Sequence, residues 1–231
     1  MKRIIGAVAL AAGLSLAFPA EAQVSIDLKV GYALPVGDLA KFGEDPYFGA
    51  MSNFWSGAIP LEVAGRYRFS PNFSAGIYFQ YGPAFVAKRF CTNGMTCSAY
   101  DMRAGVEAVY GFLPDRTLNP WVSLGTGWEW THFSVATAND TSEASAAVTY
   151  SGWEYFNVQA GLDWNVSRTF ALGPYVGFYG GSYSSKSGTL TNTSIVPPVP
   201  PVVDDVTSPV ASEFRSFHGW LQIGLKGTVN L

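Results

Sequence analysis

The chain has 231 residues, and 14 basic against 17 acidic side chains leave a formal net charge of −3. This balance gives no reason to expect a nucleic acid as partner, because such proteins carry a basic patch. Only 13% of the residues are charged and 15% are aromatic, whereas soluble domains carry about 25% charged residues. Exposure to a membrane or a soluble all-β fold would both account for this deficit.

The N-terminus has the pattern of a secretory signal peptide. Lys2 and Arg3 precede an apolar run over residues 4–18, which is followed by Ala20-Glu21-Ala22, a small-x-small cleavage site. The apolar run is shorter than the about 20 residues that a transmembrane helix needs. We therefore expect cleavage after Ala22, so that residues 1–22 form the signal peptide and residues 23–231 form one exported domain.

Eight segments of the exported domain alternate apolar and polar residues with the period of two that is typical of β-strands. The last segment keeps this alternation from Phe217 to Leu231, whereas strands of globular proteins usually have about 5 to 6 residues. Strands of such length are typical of barrels that span a membrane. The predicted strands cover residues 24–34, 58–69, 73–81, 100–112, 120–132, 152–166, 170–180 and 217–231.

The connections between these segments alternate between long and short. Residues 70–72, 113–119 and 167–169 form short turns, while residues 35–57 and 181–216 form two of the longer loops. Outer-membrane barrels have an even number of strands, short periplasmic turns and longer outer loops. The pattern thus predicts an all-β fold, an eight-stranded antiparallel up-and-down transmembrane β-barrel with both termini at the periplasmic end.

The polar faces of the predicted strands carry six acidic and five basic residues. A soluble barrel would turn these faces towards water, whereas a membrane barrel turns them into its lumen. Nearly balanced charge suits a confined lumen, because an unpaired buried charge costs several kcal/mol. We expect a lumen charge network of Asp27, Lys29, Glu62, Arg66, Arg68, Asp101, Arg103, Glu107, Glu129, Asp163 and Lys226.

Two further expectations follow from this arrangement. Closing the barrel pairs the last strand with the first, which would place Lys226 near acids such as Asp27. Glu154 is the one charge on an apolar face, where we expect it near the lipid headgroups.

The apolar faces also carry aromatic side chains in two groups, as expected for girdles at two membrane interfaces. Tyr67, Phe69, Phe73, Tyr110, Phe112, Trp164 and Phe170 lie near the short turns, and Tyr32, Tyr81, Tyr100, Trp128, Trp130 and Phe156 near the long loops.

The two cysteines, Cys91 and Cys97, are predicted to form a local disulfide, as is usual in an exported chain. Asn93-Gly94 between them favours the tight turn that this short closure needs. A metal site, the alternative, would need further ligands, and the two histidines are remote in sequence. We expect neither a metal nor a cofactor, and we expect His218 to form a hydrogen bond inside the lumen.

Three segments carry a resemblance to known proteins: residues 31–38, which leave the first strand, and residues 119–127 and 173–177, which look like Pro-aromatic-Val-x-x-Gly strand starts. Through them the chain resembles the small eight-stranded outer-membrane β-barrel families of Gram-negative bacteria, such as OmpA-like transmembrane domains, opacity proteins and the generic outer-membrane β-barrel domain. The resemblance implies a location in the bacterial outer membrane. Leu231 departs from it, because these families usually end in Phe or Trp.

The resemblance implies a non-enzymatic integral membrane protein with a structural or surface-interaction role. Side chains about fill the interior of an eight-stranded barrel, so we expect a lumen plugged by the charged residues. The expected partners are outer-membrane lipid and lipopolysaccharide, and a surface ligand bound by the loops. We expect a monomer. The proline-rich residues 195–205 favour an extended polyproline II segment, either a recognition strand or a loop tip.

Two alternatives remain open. His132, Ser134 and Glu143 resemble the His-x-Ser…Glu arrangement of lipid A deacylases, in which a Ser activated by His and oriented by Glu forms a nucleophilic triad. The chain would then be a lipid A-directed acyl hydrolase, although Val135 stands where that family has Asn, and an interfacial His beside a loop Ser is the simpler interpretation. The other alternative is a narrow channel for small solutes.

Overall fold

A computed structural model describes residues 24–39, 49–89, 91–92, 94–138, 142–194 and 202–231. The predicted signal peptide and its cleavage site lie outside this part of the chain, as does most of the proline-rich segment. The described residues form eleven strands, one short α-helix and one 3₁₀ turn at Ser212–Phe214. The strands are β1 (Val24–Gly37), β2 (Trp55–Ala58), β3 (Leu61–Arg68), β4 (Phe73–Val86), β5 (Met95–Gly111), β6 (Leu118–Ala138), β7 (Ser142–Asn165), β8 (Phe170–Ser194), β9 (Val202–Asp205), β10 (Ser208–Pro209) and β11 (His218–Asn230), and the helix is α1 (Met51–Phe54).

The strands close into a ring of eight antiparallel staves. β2 and β3 together form one stave between β1 and β4, and each later strand up to β8 pairs with its neighbour in sequence. β11 then lies between β8 and β1, which closes the ring. The predicted fold class, an eight-stranded antiparallel up-and-down barrel, is confirmed. Closure also leaves none of these eight staves with an unpaired edge along the barrel wall.

The sequence predicts the second stave as one strand over residues 58–69, whereas in the structure this stave is divided into β2 and β3. It is interrupted at Ile59 and Pro60, because proline has no amide hydrogen to donate to a strand ladder. The amide of Ile59 donates to the carbonyl of Pro83 (3.0 Å), and the amide of Gly31 donates to the carbonyl of Pro60 (3.2 Å). These two bonds keep the stave attached to both neighbours.

The two faces of the ring differ in exposure as the sequence predicts. Leu28, Ile77 and Ile223 are 58%, 67% and 67% exposed on the outer side, while Asp27 and Arg103 are 0% exposed on the inner side. Apolar side chains are thus exposed along the outer side of the ring, which is the arrangement of a barrel that faces lipid. No helix among the described residues is long and apolar enough to cross a membrane.

Several strands extend beyond their predicted outer ends. The ends of β5 to β8, together with β9, form a sheet that rises above the barrel, and we call it the outer sheet (residues 95–99, 132–138, 142–151, 185–194 and 202–205). The predicted strands end where outward apolar residues cease to alternate with inward polar ones. In the outer sheet the pattern is inverted, because small polar side chains face outwards and apolar ones face inwards.

A compact apolar cluster lies at the outer end of the ring, where the sequence predicts only a loop. α1 places Met51 at 0% exposure, and Trp55 follows at 1%. They pack with Leu39, which precedes the undescribed part of the loop, and with Trp220 of β11. The Trp55 and Trp220 ring centroids are 6.3 Å apart. Apolar residues of the first loop therefore fold back over the barrel interior, a tertiary contact that a loop-like composition conceals.

Candidate functional site

The middle of the barrel interior is organised around Lys29, which is buried on the inner face of β1. Its ammonium group donates to Glu62 Oε1 (2.6 Å) and Gln159 Oε1 (2.8 Å), and lies 3.5 Å from Glu107 Oε2. The hydroxyl of Tyr179 donates to the other oxygen of Glu62 (2.8 Å). Several staves thus contribute to one network, and each ionised group has an opposite charge or a hydrogen bond within reach, which burial requires.

Arg103 organises the outer part of the interior. Its Nη2 atom lies 2.8 Å from Glu129 Oε1 and 3.0 Å from Asp101 Oδ2, and its Nε atom lies 3.6 Å from Glu154 Oε2. The guanidinium is also 5.0 Å from the centroid of the Tyr179 ring, within the range of a cation–π contact. Arg103 is therefore the cationic partner of all three buried carboxylates.

His218 completes this cluster from the start of β11. It is 0% exposed, its Nε2 atom lies 2.9 Å from Glu129 Oε2, and its ring stacks on Tyr183 at 3.9 Å between centroids. Trp220 Nε1 donates to Glu129 Oε1 (3.2 Å). The expected role of His218 as a hydrogen-bonding residue inside the lumen agrees with these contacts.

The end of the interior near the short turns contains two ion pairs. Arg66 pairs with Asp27, whose other carboxylate oxygen accepts a hydrogen bond from Thr228 Oγ1 (2.8 Å). Lys226 Nζ lies 2.7 Å from Asp163 Oδ2 and 3.9 Å from the centroid of the Trp121 ring. Lys226 is therefore paired with Asp163, whereas the sequence suggested Asp27. The β1–β11 register places Lys226 opposite Lys29, so its partner comes from across the lumen.

Arg68 is a second correction, because it does not join the interior network. It lies exposed at the end of β3, and its Nη2 atom donates to Asn230 Oδ1 (2.8 Å) at the rim of the barrel. The alternation of side chains assigns Arg68 to the inner face, but the stave ends there. A side chain at the last position of a strand can turn towards water.

Glu154 is a third correction, because it points inwards and is 1% exposed. A β-bulge in β7 places one extra residue between Glu154 and Phe156 relative to both β6 and β8, which reverses the facing of the residues before it. Tyr78 Oη donates to Glu154 Oε1 (2.5 Å), and Asn157 Nδ2 donates to the same oxygen (2.7 Å). No regular alternation could have revealed this, since a bulge has no clear signature in these residues.

The interior network thus contains seven acidic and four basic residues, each at most 7% exposed. The acidic members are Asp27, Glu62, Asp101, Glu107, Glu129, Glu154 and Asp163, and the basic ones are Lys29, Arg66, Arg103 and Lys226. Large aromatic side chains fill the space between the ion pairs. Gly31 and Gly224 face each other across β1 and β11 beneath Tyr175, and a Cβ atom at Gly224 would collide with the carbonyl of Val30 and approach the Tyr175 ring. The glycines therefore make room for the aromatic ring.

The three residues of the hydrolase alternative do not contact one another. His132 Nδ1 lies 2.9 Å from Thr149 Oγ1, and its ring stacks on Tyr100 at 4.9 Å. The hydroxyl of Ser134 lies 2.8 Å from that of Ser98. Glu143 lies opposite Ala138, while Ser134 lies opposite Ala147, so Glu143 is four positions along β7 from the level of Ser134. The described contacts assemble no nucleophile, base and orienting acid.

The predicted disulfide between Cys91 and Cys97 is confirmed. Its Cα atoms are 6.0 Å apart, an ordinary separation for a disulfide. Cys97 lies in β5 on the inward side of the outer sheet, opposite Val135. The bond therefore attaches the loop after β4 to the base of the outer sheet.

No family model matches the sequence, and no curated protein matches it. Among solved structures, a major outer membrane protein from Thermus thermophilus aligns with a TM-score of 0.51 at 8% identity, covering 88% of this chain and 99% of that one. OprG from Pseudomonas aeruginosa aligns at 0.45 with 10% identity over 90% of this chain and 97% of that one. Ail, the attachment invasion locus protein of Yersinia pestis, aligns at 0.40 with 11% identity over 88% and 99%. At these identities the likeness concerns the fold, which is that of the outer-membrane β-barrels.

Proposed function

We propose that this chain, which has the fold of the outer-membrane β-barrels, is a non-enzymatic integral protein of the bacterial outer membrane whose lumen is closed to solutes. In this proposal the barrel serves as a rigid membrane anchor, and the outer sheet is the part that meets other molecules. The role is therefore structural and surface-interactive. Outer-membrane lipid and lipopolysaccharide are its immediate surroundings.

The observation that carries the proposal is the filling of the interior. Lys29 Nζ donates to Gln159 of β7 (2.8 Å), and Lys226 Nζ lies 2.7 Å from Asp163 of β7, so both side chains reach past the neighbouring staves. Arg103 Nε lies 3.6 Å from Glu154, also of β7. The apolar cluster around Trp55 lies above these contacts. An ion crossing this interior would have to displace paired charges. Removing one partner of a buried ion pair costs about 3–5 kcal/mol, which makes a permanently open path unfavourable.

The external surface supports the location. Its exposed side chains are apolar, as contact with lipid requires, and one group of aromatic side chains lies at each end of this apolar surface. At the short-turn end the centroids of Tyr67 and Phe69 are 5.0 Å apart, and at the other end those of Trp128 and Trp153 are 6.0 Å apart. Aromatic side chains of this kind concentrate at the two membrane–water interfaces. A soluble barrel would have no reason to leave Ile77 and Ile223 two-thirds exposed.

Two measurements test this proposal. The protein folded in phospholipid vesicles should migrate differently on SDS gels before and after boiling, and identical mobility would contradict a membrane barrel. In planar bilayers the same preparation should produce no conductance steps. Regular single-channel steps would instead support the alternative of a narrow channel, and they would show that the interior opens.

A further inference from the structure

The outward face of the outer sheet is rich in hydroxyl groups. Register places Ser134 beside Ser98 and Thr191 beside Ser145, and Ala147 and Ala136 are the one residue without a hydroxyl in each of these two rows across β5 to β8. We call the outward-facing positions of the outer sheet the hydroxyl face. Its serines and threonines include Ser98, Ser134, Ser145, Ser151, Ser185 and Thr191.

The hydroxyl face continues the lipid-facing surface of the same strands. Below it, Trp153 and Tyr155 are 48% and 53% exposed on the outer side of β7. Tyr100 and His132 form a stacked pair directly beneath Ser98 and Ser134. Along one face of the wall the side chains therefore change from aliphatic to aromatic to hydroxyl. This order matches the layers of an outer leaflet, which are acyl chains, an interface and then sugars.

The inward face of the same sheet is chemically different. Val135 and Leu190 face inwards there, as do Met95 and Val202, and they line one apolar concavity. Lys186 lies on this inner face too, since it is opposite Tyr150. The rows of small hydroxyl side chains thus lie on the side that faces the surrounding membrane.

Charge on the hydroxyl face is scarce. Among its described residues only Glu143 and Asp205 are charged, and no lysine or arginine occurs there. A surface that recognises phosphate usually presents Arg or Lys, and a protein interface usually depends on Trp, Tyr or Arg anchors. Neither pattern is present among these residues. Each hydroxyl instead can both donate and accept a hydrogen bond, which suits a neutral polyhydroxylated partner.

We propose that the hydroxyl face packs against the sugars of neighbouring lipopolysaccharide molecules in the same membrane. The inference rests on the proposed function, since it requires the barrel to lie in the outer membrane. Ser98 and Ser134 bond to each other at 2.8 Å, and Ser151 and Ser185 do so at 2.8 Å. Each bond holds the two hydroxyls of its pair in place, and each oxygen retains capacity for a further hydrogen bond to a sugar.

The test compares the thermal stability of the folded barrel in three kinds of phospholipid vesicle. One contains lipopolysaccharide with its full core sugars, one contains lipid A alone, and one contains neither. The measured quantity is the temperature at which the heat-modifiable gel band is lost. A ligand that binds only the folded state raises this temperature, so full-core lipopolysaccharide should raise it above the value with lipid A.

Variants locate the contact. Thr191→Glu and, independently, Ser145→Glu add a charge to the hydroxyl face and should lose most of the sugar-dependent increase. Asn192→Glu adds the same charge to the adjacent residue on the inward face and should keep it. In vesicles without lipopolysaccharide all variants should match the wild type. If one of the two outward variants does not fold, the other still tests whether the hydroxyl face is the contact.

Three results would overturn the inference. Lipid A alone could give the full increase, which would indicate binding through headgroup phosphate. The wild type could show no increase at all, or Asn192→Glu could lose the increase as fully as Thr191→Glu. In each case a heat-modifiable band in phospholipid vesicles would leave the proposed function intact, whereas its absence there would refute that function directly.

Discussion

Replacing Arg103 with Met should destabilise the folded barrel strongly. Met has a similar length but no charge, so Asp101, Glu129 and Glu154 would lose the one base that lies within 4 Å of all three. These carboxylates are at most 3% exposed, and water cannot replace the lost partner easily. Removal of one partner from a buried ion pair costs about 3–5 kcal/mol, and we expect a loss of this size in the free energy of unfolding.

The assay is urea unfolding of the protein folded in phospholipid vesicles, followed by tryptophan fluorescence. Arg68→Met is the matched control, because Arg68 is exposed at the rim and bonds only to Asn230 among its described contacts. A surface change of this kind is usually within about 0.5 kcal/mol. The double variant Arg103→Met/Glu129→Gln should recover part of the stability, because it removes one uncompensated charge. Equal unfolding midpoints for Arg103→Met and Arg68→Met would refute the reasoning.

Three further predictions concern the lipid face, the apolar cluster and the disulfide. Ile223→Arg, at the middle of β11, should cost about 2–4 kcal/mol in vesicles, while Val203→Arg on the outer sheet should cost almost nothing; equal urea midpoints would contradict the lipid assignment. Trp55→Ala should cost about 3–5 kcal/mol, as for other buried tryptophans, and an unchanged thermal midpoint would show that the cluster is not packed. Cys97→Ser should make the loop after β4 sensitive to added protease, with the SDS heat shift of the barrel preserved, and full resistance would mean that the disulfide does not hold the loop.

The sequence predicted the barrel wall well because the physical rule behind it is local. A strand between lipid and a polar lumen must alternate apolar and polar side chains. Residues such as Asp27 and Leu28 show this alternation even when the neighbouring strands are not known. The same rule located most of the charged interior. It could not identify partners, because Lys226 meets Asp163 across the lumen and not along the β1–β11 pair. Partner choice depends on the stagger of the staves and on side-chain length.

Other features were hidden for different physical reasons. The bulge in β7 reverses the facing of Glu154, and nothing in the local sequence marks the extra residue. Trp55 and Met51 lie in a segment with the composition of a loop, yet they fold into the apolar cluster because the open end of the barrel offers a place to bury them. The outer sheet was missed because its alternation is inverted, so that strands such as β8 continue past the point where the lipid-facing pattern ends.

The most direct test of the account is to attach nitroxide spin labels along β11, one residue at a time, in the barrel folded in phospholipid vesicles. At Leu221, Ile223 and Leu225, whose side chains are 44%, 67% and 53% exposed, collision with dissolved oxygen should be frequent, since oxygen concentrates in lipid. At Gln222 and Lys226, which are at most 2% exposed, it should be rare. A strict alternation is the predicted result. Equal accessibility along the strand, or greater accessibility at the inward positions, would contradict a lipid-facing wall around a filled charged interior.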